Sequence, residues 1–252
     1  MRFAVHAVDS TDSTQSEVRA LAAAGAPEGT VVTASHQRAG RGRRGHAWWD
    51  APGESLLVSV LLRPAGPPAV APQLALVGGL AVAEALAAAE VPARIRWPND
   101  LLVDGRKVCG ILAEASSDPA GDGRGRLHHV ILGIGINLNQ TGFPEALAPI
   151  ATSLRLVTGR FHAAGAILDA VLSRLAAGYA AWQAGGFAVL RAAWLAHALL
   201  PGQVVRLPDG TPGVGADVTD DGVLLARTAG GRLVPVVSGG AVEEATPHAT
   251  GH

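Results

Sequence analysis

The chain has 252 residues, 48% hydrophobic and 16% charged, with a formal net charge of −1. That is enough apolar material for one main core and a small appendage, and the near-neutral balance gives no global attraction to nucleic acid or an anionic membrane. A single cysteine, Cys109, excludes an internal disulfide framework and fits a reducing cytoplasm; the start MRFAVHAVDSTDST turns polar too soon for a signal peptide, and no run approaches a membrane span.

After a short apolar start, residues Asp12 to Glu17 concentrate capping side chains. Thr14 and Glu17 fit a capping box, and Val18, Leu21 and Ala22 form the apolar stripe of a helix ending near Gly25 and Pro27. Capping alone accounts for Ser13 and Thr14, although hydroxyls at a helix start also suit a polar ligand group. Thr30 to Ser35 reads as a strand leading into the loop HQRAGRGRRGHAWWD, His36 to Asp50. Gly40, Gly42 and Gly45 satisfy G-x-G-x-x-G spacing, but a dinucleotide fingerprint opens a helix directly afterwards, which Trp48 to Gly53 with its Pro52 cannot do. Arg38, Arg41, Arg43 and Arg44 among these glycines instead predict a mobile cationic loop that an anion such as a triphosphate would order. A solvated basic loop and a nucleic-acid contact are the alternatives; Trp48 and Trp49 argue against the first.

Ser55 to Arg63 is a long apolar strand, Pro64 to Pro72 a proline-rich connector, and Gln73 to Ala89 a helix ended before Pro92. The stretch RWPNDLLVDGRKVCGILAE comes next, Arg96 to Glu114, with Asp104-Gly105 between two apolar runs as a strong hairpin signal. Its Lys107 is the one lysine beside 19 arginines. Where arginine has replaced lysine wherever charge alone matters, the remaining lysine marks a site needing a compact ammonium on a flexible stem. Asn99, Asn137 and Asn139 are likewise the three asparagines.

A Gly/Asp/Arg loop, Asp118 to Arg126, precedes a strand from His128 to Ile136 carrying Gly133 and Gly135, glycines that mark a bulge or a close approach. Asn137 directly after them suits an amide or a purine edge. His128 and His129 are adjacent in a strand and point to opposite faces, which argues against a metal pair. Phe161 to Gln183 and Phe187 to Ala198 are helical, broken at Gly185-Gly186. Beyond Pro201-Gly202, short β-rich runs punctuated by Pro208-Asp209-Gly210, Asp220-Asp221-Gly222 and Gly230-Gly231 predict a small antiparallel barrel and a domain boundary.

Taken together, DSTQ at Asp12–Gln15, QRAGRGRRGHAW at Gln37–Trp48, RWPNDLLVDGRKVCGIL at Arg96–Leu112, GIGIN at Gly133–Asn137 and the C-terminal barrel resemble the biotin protein ligases, or biotin–[acetyl-CoA-carboxylase] ligases. The resemblance implies an α+β fold: a mixed β-sheet catalytic domain over 1–198, related to lipoyl ligases and with helices on one side, then a small SH3-like β-barrel over 199–245 and a disordered tail over 246–252. It implies a cytoplasmic, monofunctional enzyme, monomer or weak homodimer, that joins biotin and ATP with Mg²⁺ into biotinyl-5′-AMP and transfers biotin to a lysine of a carboxylase carrier domain. With the DST segment about a dozen residues from Met1 there is no room for an N-terminal DNA-binding domain, so no DNA partner is expected.

By the same resemblance, biotin contacts fall on Ser13, Thr14, Gln15, Gln37, Gly40, Arg41, Lys107, Gly110 and Leu112. ATP and adenylate contacts fall on Arg41, Gly42, Arg43, Arg44, Trp48, Asn99, Lys107 and Asn137, with Trp48 closing over the adenylate. Lys107, Arg41, Arg43 and Asp100 carry catalysis, and no dedicated protein ligand holds the metal. The chemistry wants these residue types: a carboxylate attacking an α-phosphate brings two anions together, which Lys107, the loop arginines and Mg²⁺ would neutralise, while Asp100 would serve as base toward the acceptor amine, or orient it. Three departures stand out: Gln15 where these ligases commonly have Asn, Arg96 where Lys is usual, and His46 where Arg is usual. A lipoate or octanoate ligase on the related fold is the rival enzyme reading.

Overall fold

The computed structural model describes residues 1–118 and 125–236. Residues 119–124 of the Gly/Asp/Arg loop, the end of the expected barrel and the whole expected tail lie outside the described residues.

Seven strands, β1 (Ala4–Thr11), β2 (Thr30–Gln37), β3 (Ser55–Leu62), β4 (Arg94–Arg96), β5 (Asp100–Val103), β6 (Arg106–Ser117) and β7 (Leu127–Asn137), form one sheet in the order β1-β2-β3-β7-β6-β5-β4. β1 and β2 are parallel and the remaining pairs antiparallel, so the sheet is mixed as expected. The parallel pair needs a crossover, supplied by helix α1 (Thr14–Ala23). β1 was not foreseen: seven of its eight residues are exposed, so no period of two separates an inner from an outer face.

Alternation along the central strands assigns the two faces. Leu56, Val58, Val60 and Leu62 of β3 with Val130, Leu132, Ile134 and Ile136 of β7 face the main core, beneath helices α2 (Ala71–Ala88) and α4 (Ala164–Gly185). Leu61 and Ile131 point the other way and pack with Val18, Ala22 and Val32 under α1. The two long helices thus cover one face, and the shorter α1 leaves much of the opposite face open to a ligand. Against the sequence expectation, Pro68–Ala88 and Ala164–Gly185 are long and apolar enough to cross a membrane. Here α2 is a core helix, buried on most of its surface between the sheet and α4, which explains its apolar periphery.

The central hairpin is as foreseen, β5 and β6 joined at Asp104 (φ 48°) and Gly105 (φ 76°), the paired left-handed positions a two-residue turn demands. The capping box is not. Ser13 is the N-cap residue without a side-chain cap bond, and Glu17 instead accepts from the Thr11 hydroxyl. The Arg/Gly loop, expected to be mobile, is a closed turn: Gly42 N donates to His46 O at 2.7 Å, Trp48 N to Gly40 O at 2.9 Å, and Arg44 lies in the left-handed region at φ 57°. Ion pairs and polar contacts from Arg38 to Asp12 and from Arg43 to Asn99, both 2.8 Å, offset the repulsion that argued for disorder.

Helix α3 (Leu154–Thr158), capped by Ser153 Oγ, was not anticipated. α4 begins at Ala164 rather than Phe161 and ends at Gly185, with Gly186 as its cap, followed by α5 (Arg191–His197). The chain then forms a four-stranded antiparallel sheet, β8 (Val204–Arg206), β9 (Pro212–Val218), β10 (Leu224–Arg227) and β11 (Leu233–Val236), whose turns hold Gly210, Gly222 and Gly231 at positive φ where the sequence placed them.

Candidate active site

The site lies on the open face of the central sheet. Cross-strand register aligns Ser59 with Gly133 and Gly133 with Leu112 in one row, and Leu57 with Gly135 and Gly135 with Gly110 in the next. Three of these six positions are glycine, which leaves half of the floor without side chains. Space above it is already in use. A Cβ on Gly135 would come within 2.7 Å of the Trp48 ring, one on Gly110 within 2.9 Å of the same ring and 3.1 Å of Lys107 Nζ, and one on Gly133 within 3.1 Å of the Gln15 side chain. The strand glycines therefore permit a close approach, as expected, and the approaching groups are site side chains.

The wall is built where β1 hands over to α1. Thr14 N and Oγ1 both donate to Gln37 Oε1, at 2.8 and 3.0 Å, and Thr14 Oγ1 also meets Ser59 Oγ at 2.8 Å. With its oxygen so occupied, Gln37 presents Nε2, its donor end. Gln15 Nε2 reaches the carbonyl oxygens of Leu112 (3.3 Å) and Ile131 (3.5 Å). The extra methylene of this glutamine is accommodated over Gly133, so the departure from asparagine leaves the wall intact. Ser13 Oγ, Gln15 Oε1 and Trp48 Nε1 are buried without a hydrogen-bond partner. Each such group costs about 1–3 kcal/mol unless something pairs with it, and all three border the same narrow cleft, of about 60 Å³, together with Gln37, Arg41 and Leu112.

Beyond the cleft opens a cavity of about 580 Å³, lined by Arg43, Arg44, Asn99 and Asp100 and by apolar Trp49, Phe143, Leu147 and Ile150. Gly42, Arg43, Trp48, Asn99 and Lys107 border both spaces. At this junction Lys107 Nζ is 2.7 Å from Asp100 Oδ1 and 5.7 Å from the centroid of Trp48, and Arg96 takes Asp100 Oδ2 at 2.8 Å. Burial raises the Asp100 pKa, but Lys107 and Arg96 outweigh it and hold the carboxyl below its ordinary value. Burial and the neighbouring Arg44 lower that of Arg43, opposed in part by Asp100. Burial drives the Cys109 thiol far up, so it is an inert core residue despite its position two residues from Lys107.

Most of the expected site residues converge here. Arg41 reaches Ser16 Oγ at 3.2 Å and Glu114 at 3.7 Å, latching the loop across the cleft. Gly40 must be glycine, since a Cβ would lie 2.7 Å from Trp48 O. Trp48, expected over the adenylate, lies on the glycine floor itself. Asn137 borders the cavity, but its Nδ2 donates to Thr152 O at 3.0 Å, so its amide braces a segment instead of presenting a free edge. That segment, 140–152, escaped sequence reasoning. Lys107 N donates to Ile150 O at 2.7 Å and Thr152 N to Lys107 O at 2.9 Å, which lays Phe143, Leu147 and Ile150 along the cavity. An aromatic followed by proline in a loop, Phe143-Pro144, was the available signal. Among the described residues, no three His, Cys, Asp or Glu side chains cluster as metal ligands.

Comparison with known proteins places the chain in a class: the model of the biotin/lipoate A/B protein ligase family matches residues 7–137, and the chain belongs to that family. Within it, the chain is 40% identical over 235 residues to the biotin–[acetyl-CoA-carboxylase] ligase of Paracoccus denitrificans, covering 89% of this chain and 94% of that one. It is 37% identical over 226 residues to the bifunctional ligase/repressor BirA of Bacillus spizizenii, covering 87% of this chain and 68% of the relative. The biotin protein ligase from Aquifex aeolicus in complex with biotin and ATP has the same fold, with TM-score 0.78, 30% identity and coverage of 94% and 96%.

Proposed function

We propose that this chain activates biotin with ATP to biotinyl-5′-AMP and transfers the biotinyl group to a lysine of a biotin carboxyl carrier domain. The observation that carries the reading is the shared wall: a narrow polar cleft and a larger cavity meet at Lys107, so a carboxylate held in one and an α-phosphate held in the other would be brought together beside its ammonium.

The cleft favours biotin over lipoate. A dithiolane offers no hydrogen-bonding groups, whereas a ureido ring offers two N–H donors and a carbonyl. Gln15 Oε1 and Ser13 Oγ can accept from the former and Gln37 Nε2 can donate to the latter, which supplies partners for polar atoms that otherwise remain unsatisfied. A cleft of about 60 Å³ has room for only a few water molecules, so Trp48 lifts from the glycine floor when a fused bicycle enters. Its ring then separates the acid from the nucleotide, and Phe143, Leu147 and Ile150 provide apolar surface for a purine.

In the first step a carboxylate oxygen bonds to the α-phosphorus and pyrophosphate leaves. Lys107, Arg43 and Arg41 neutralise the converging anions. Mg²⁺, when bound, would offset triphosphate charge. Among the described residues Asp100 is the one carboxylate lining the cavity, and it is committed to Lys107 and Arg96, so the ion would rest chiefly on phosphate oxygens. In the second step the acceptor amine bonds to the acyl carbon and AMP leaves. Asp100, held below the ordinary carboxyl range by two cations, is a weak base, and its role here is to orient Lys107. The test is mass spectrometry of a carrier domain incubated with the chain, Mg·ATP and biotin. A single biotinyl adduct on one lysine is expected, and an unmodified carrier would refute transfer.

A further inference from the structure

The Trp-Pro-Asn-Asp turn is gripped from outside the catalytic sheet. Trp97 is 4% exposed; its Nε1 donates to the carbonyl of Gly222 at 3.0 Å, and its own carbonyl accepts from Gln203 Nε2 at 2.7 Å. Both partners lie at the border of the C-terminal β-sheet, Gln203 directly before β8 and Gly222 in the turn from β9 to β10. Gln203 is 8% exposed, and its backbone oxygen is fixed by Gly215 N at 2.7 Å, so the side chain projects from an anchored strand entry. Gly222 sits in a turn closed by Gly222 N to Thr219 O at 2.9 Å, and a Cβ there would collide with Leu76 of α2. The strand leading into Trp97 is held from the same side, with Leu199 N on Ile95 O at 2.8 Å and Arg94 on Ala198 O at 2.6 Å.

Directly after Trp97 the chain enters the catalytic junction. Asn99 Nδ2 donates to Ile111 O at 3.0 Å while Asn99 Oδ1 accepts from Arg43 at 2.8 Å, and Asp100 bonds Lys107 at 2.7 Å. A tilt of the peptide after Trp97 would be felt two and three residues on, at the groups that aim Arg43 and Lys107. We infer that Gln203 is a positioning residue for adenylation: through its bond to the Trp97 carbonyl, the C-terminal sheet sets the orientation of Asn99 and Asp100 and hence of Lys107. This rests on the proposed adenylation activity. It predicts that the polar wall of the biotin cleft, Ser13, Thr14, Gln15 and Gln37, held by α1, β2 and β3, does not sense the change.

The experiment compares wild type with Gln203→Met, which keeps the length and loses the donor, and Gln203→Glu as a second variant should the first not fold. Val205→Ala, a cavity in the core of the small sheet, is the control for lost stability alone. Pyrophosphate release per folded molecule should fall about tenfold in kcat for the Gln203 variants, the order expected for a sub-ångström misplacement, with the biotin Kd within twofold of wild type. Val205→Ala should lose thermal stability and keep kcat. Hydrogen–deuterium exchange should rise over residues 96–111 in Gln203→Met and not over the β3 and β7 strands. Wild-type kcat and exchange in a folded Gln203 variant would overturn the inference, as would an equal loss in Val205→Ala. Should wild type release no pyrophosphate with biotin, the adenylation reading fails and with it the catalytic part of the inference; the exchange arm still decides whether Gln203 holds the hairpin.

Discussion

Lys107 faces the heaviest electrostatic demand of any side chain in the site, since two anions must approach within bonding distance beside it. Lys107→Ala should cost about 10²–10³ in the rate of adenylation, the effect of removing one charge-stabilising donor, read by pyrophosphate release. Its partner Asp100 gives a pH signature. A carboxyl whose folded pKa lies below its unfolded value of about 3.9 stabilises the fold above that value, and the contribution is lost as pH falls through the folded pKa. Urea unfolding at pH 6 and pH 3 should therefore show a larger acid loss in wild type than in Asp100→Asn. Cys109, buried with its thiol pKa pushed up, should resist iodoacetamide in the native protein and react once unfolded. Lys107 was legible in the sequence because composition isolates it, and Ser13, Thr14, Gln37 and Gly40 because motif and chemistry agreed. The tasks of Asn137 and Asp100 were not: which way an amide points, and how many cations share a carboxylate, depend on contacts such as Thr152 and Arg96 that only the fold creates.

At the scale of elements, the glycine floor does what no single residue can. Gly110, Gly133 and Gly135 lie side by side on β6 and β7, so the loop from β2 and the start of α1 can bring Trp48 and Gln15 down onto the backbone. Gly135→Ala would put a methyl group into the Trp48 ring. Overpacking of this kind costs about 1–3 kcal/mol, lost from the stability of the ligand-free fold and measurable by urea unfolding. Tryptophan emission should change when biotin binds and stay unchanged in Trp48→Phe, because that ring is the one lifted from the floor. The hairpin and the strand glycines were readable because Asp-Gly and G-x-G have few other uses. β1 and segment 140–152 were not, the first for lack of a buried face and the second because a loop defined by what it lies against carries no period of its own.

In the whole molecule, a mixed sheet with two long helices behind it leaves much of one face free, and the small C-terminal sheet packs on Trp97 with its apolar residues continuous with the main core beneath α2. The domain order was legible from the shift to short β runs after Pro201-Gly202. The docking was not, since nothing in the sequence pairs Gln203 with the Trp97 carbonyl, 106 positions away. Ligand that binds only the folded state should stabilise it by about 2.7 kcal/mol at a hundredfold excess over Kd, which for a chain of this size raises Tm by roughly 5–10 °C. The most direct test of biotin activation beside Lys107 is pyrophosphate release by the purified chain with Mg·ATP, in parallel with biotin, with lipoate and with no acid. Release with biotin alone is the predicted result, whereas release with lipoate alone, or with neither acid from folded protein, would contradict it.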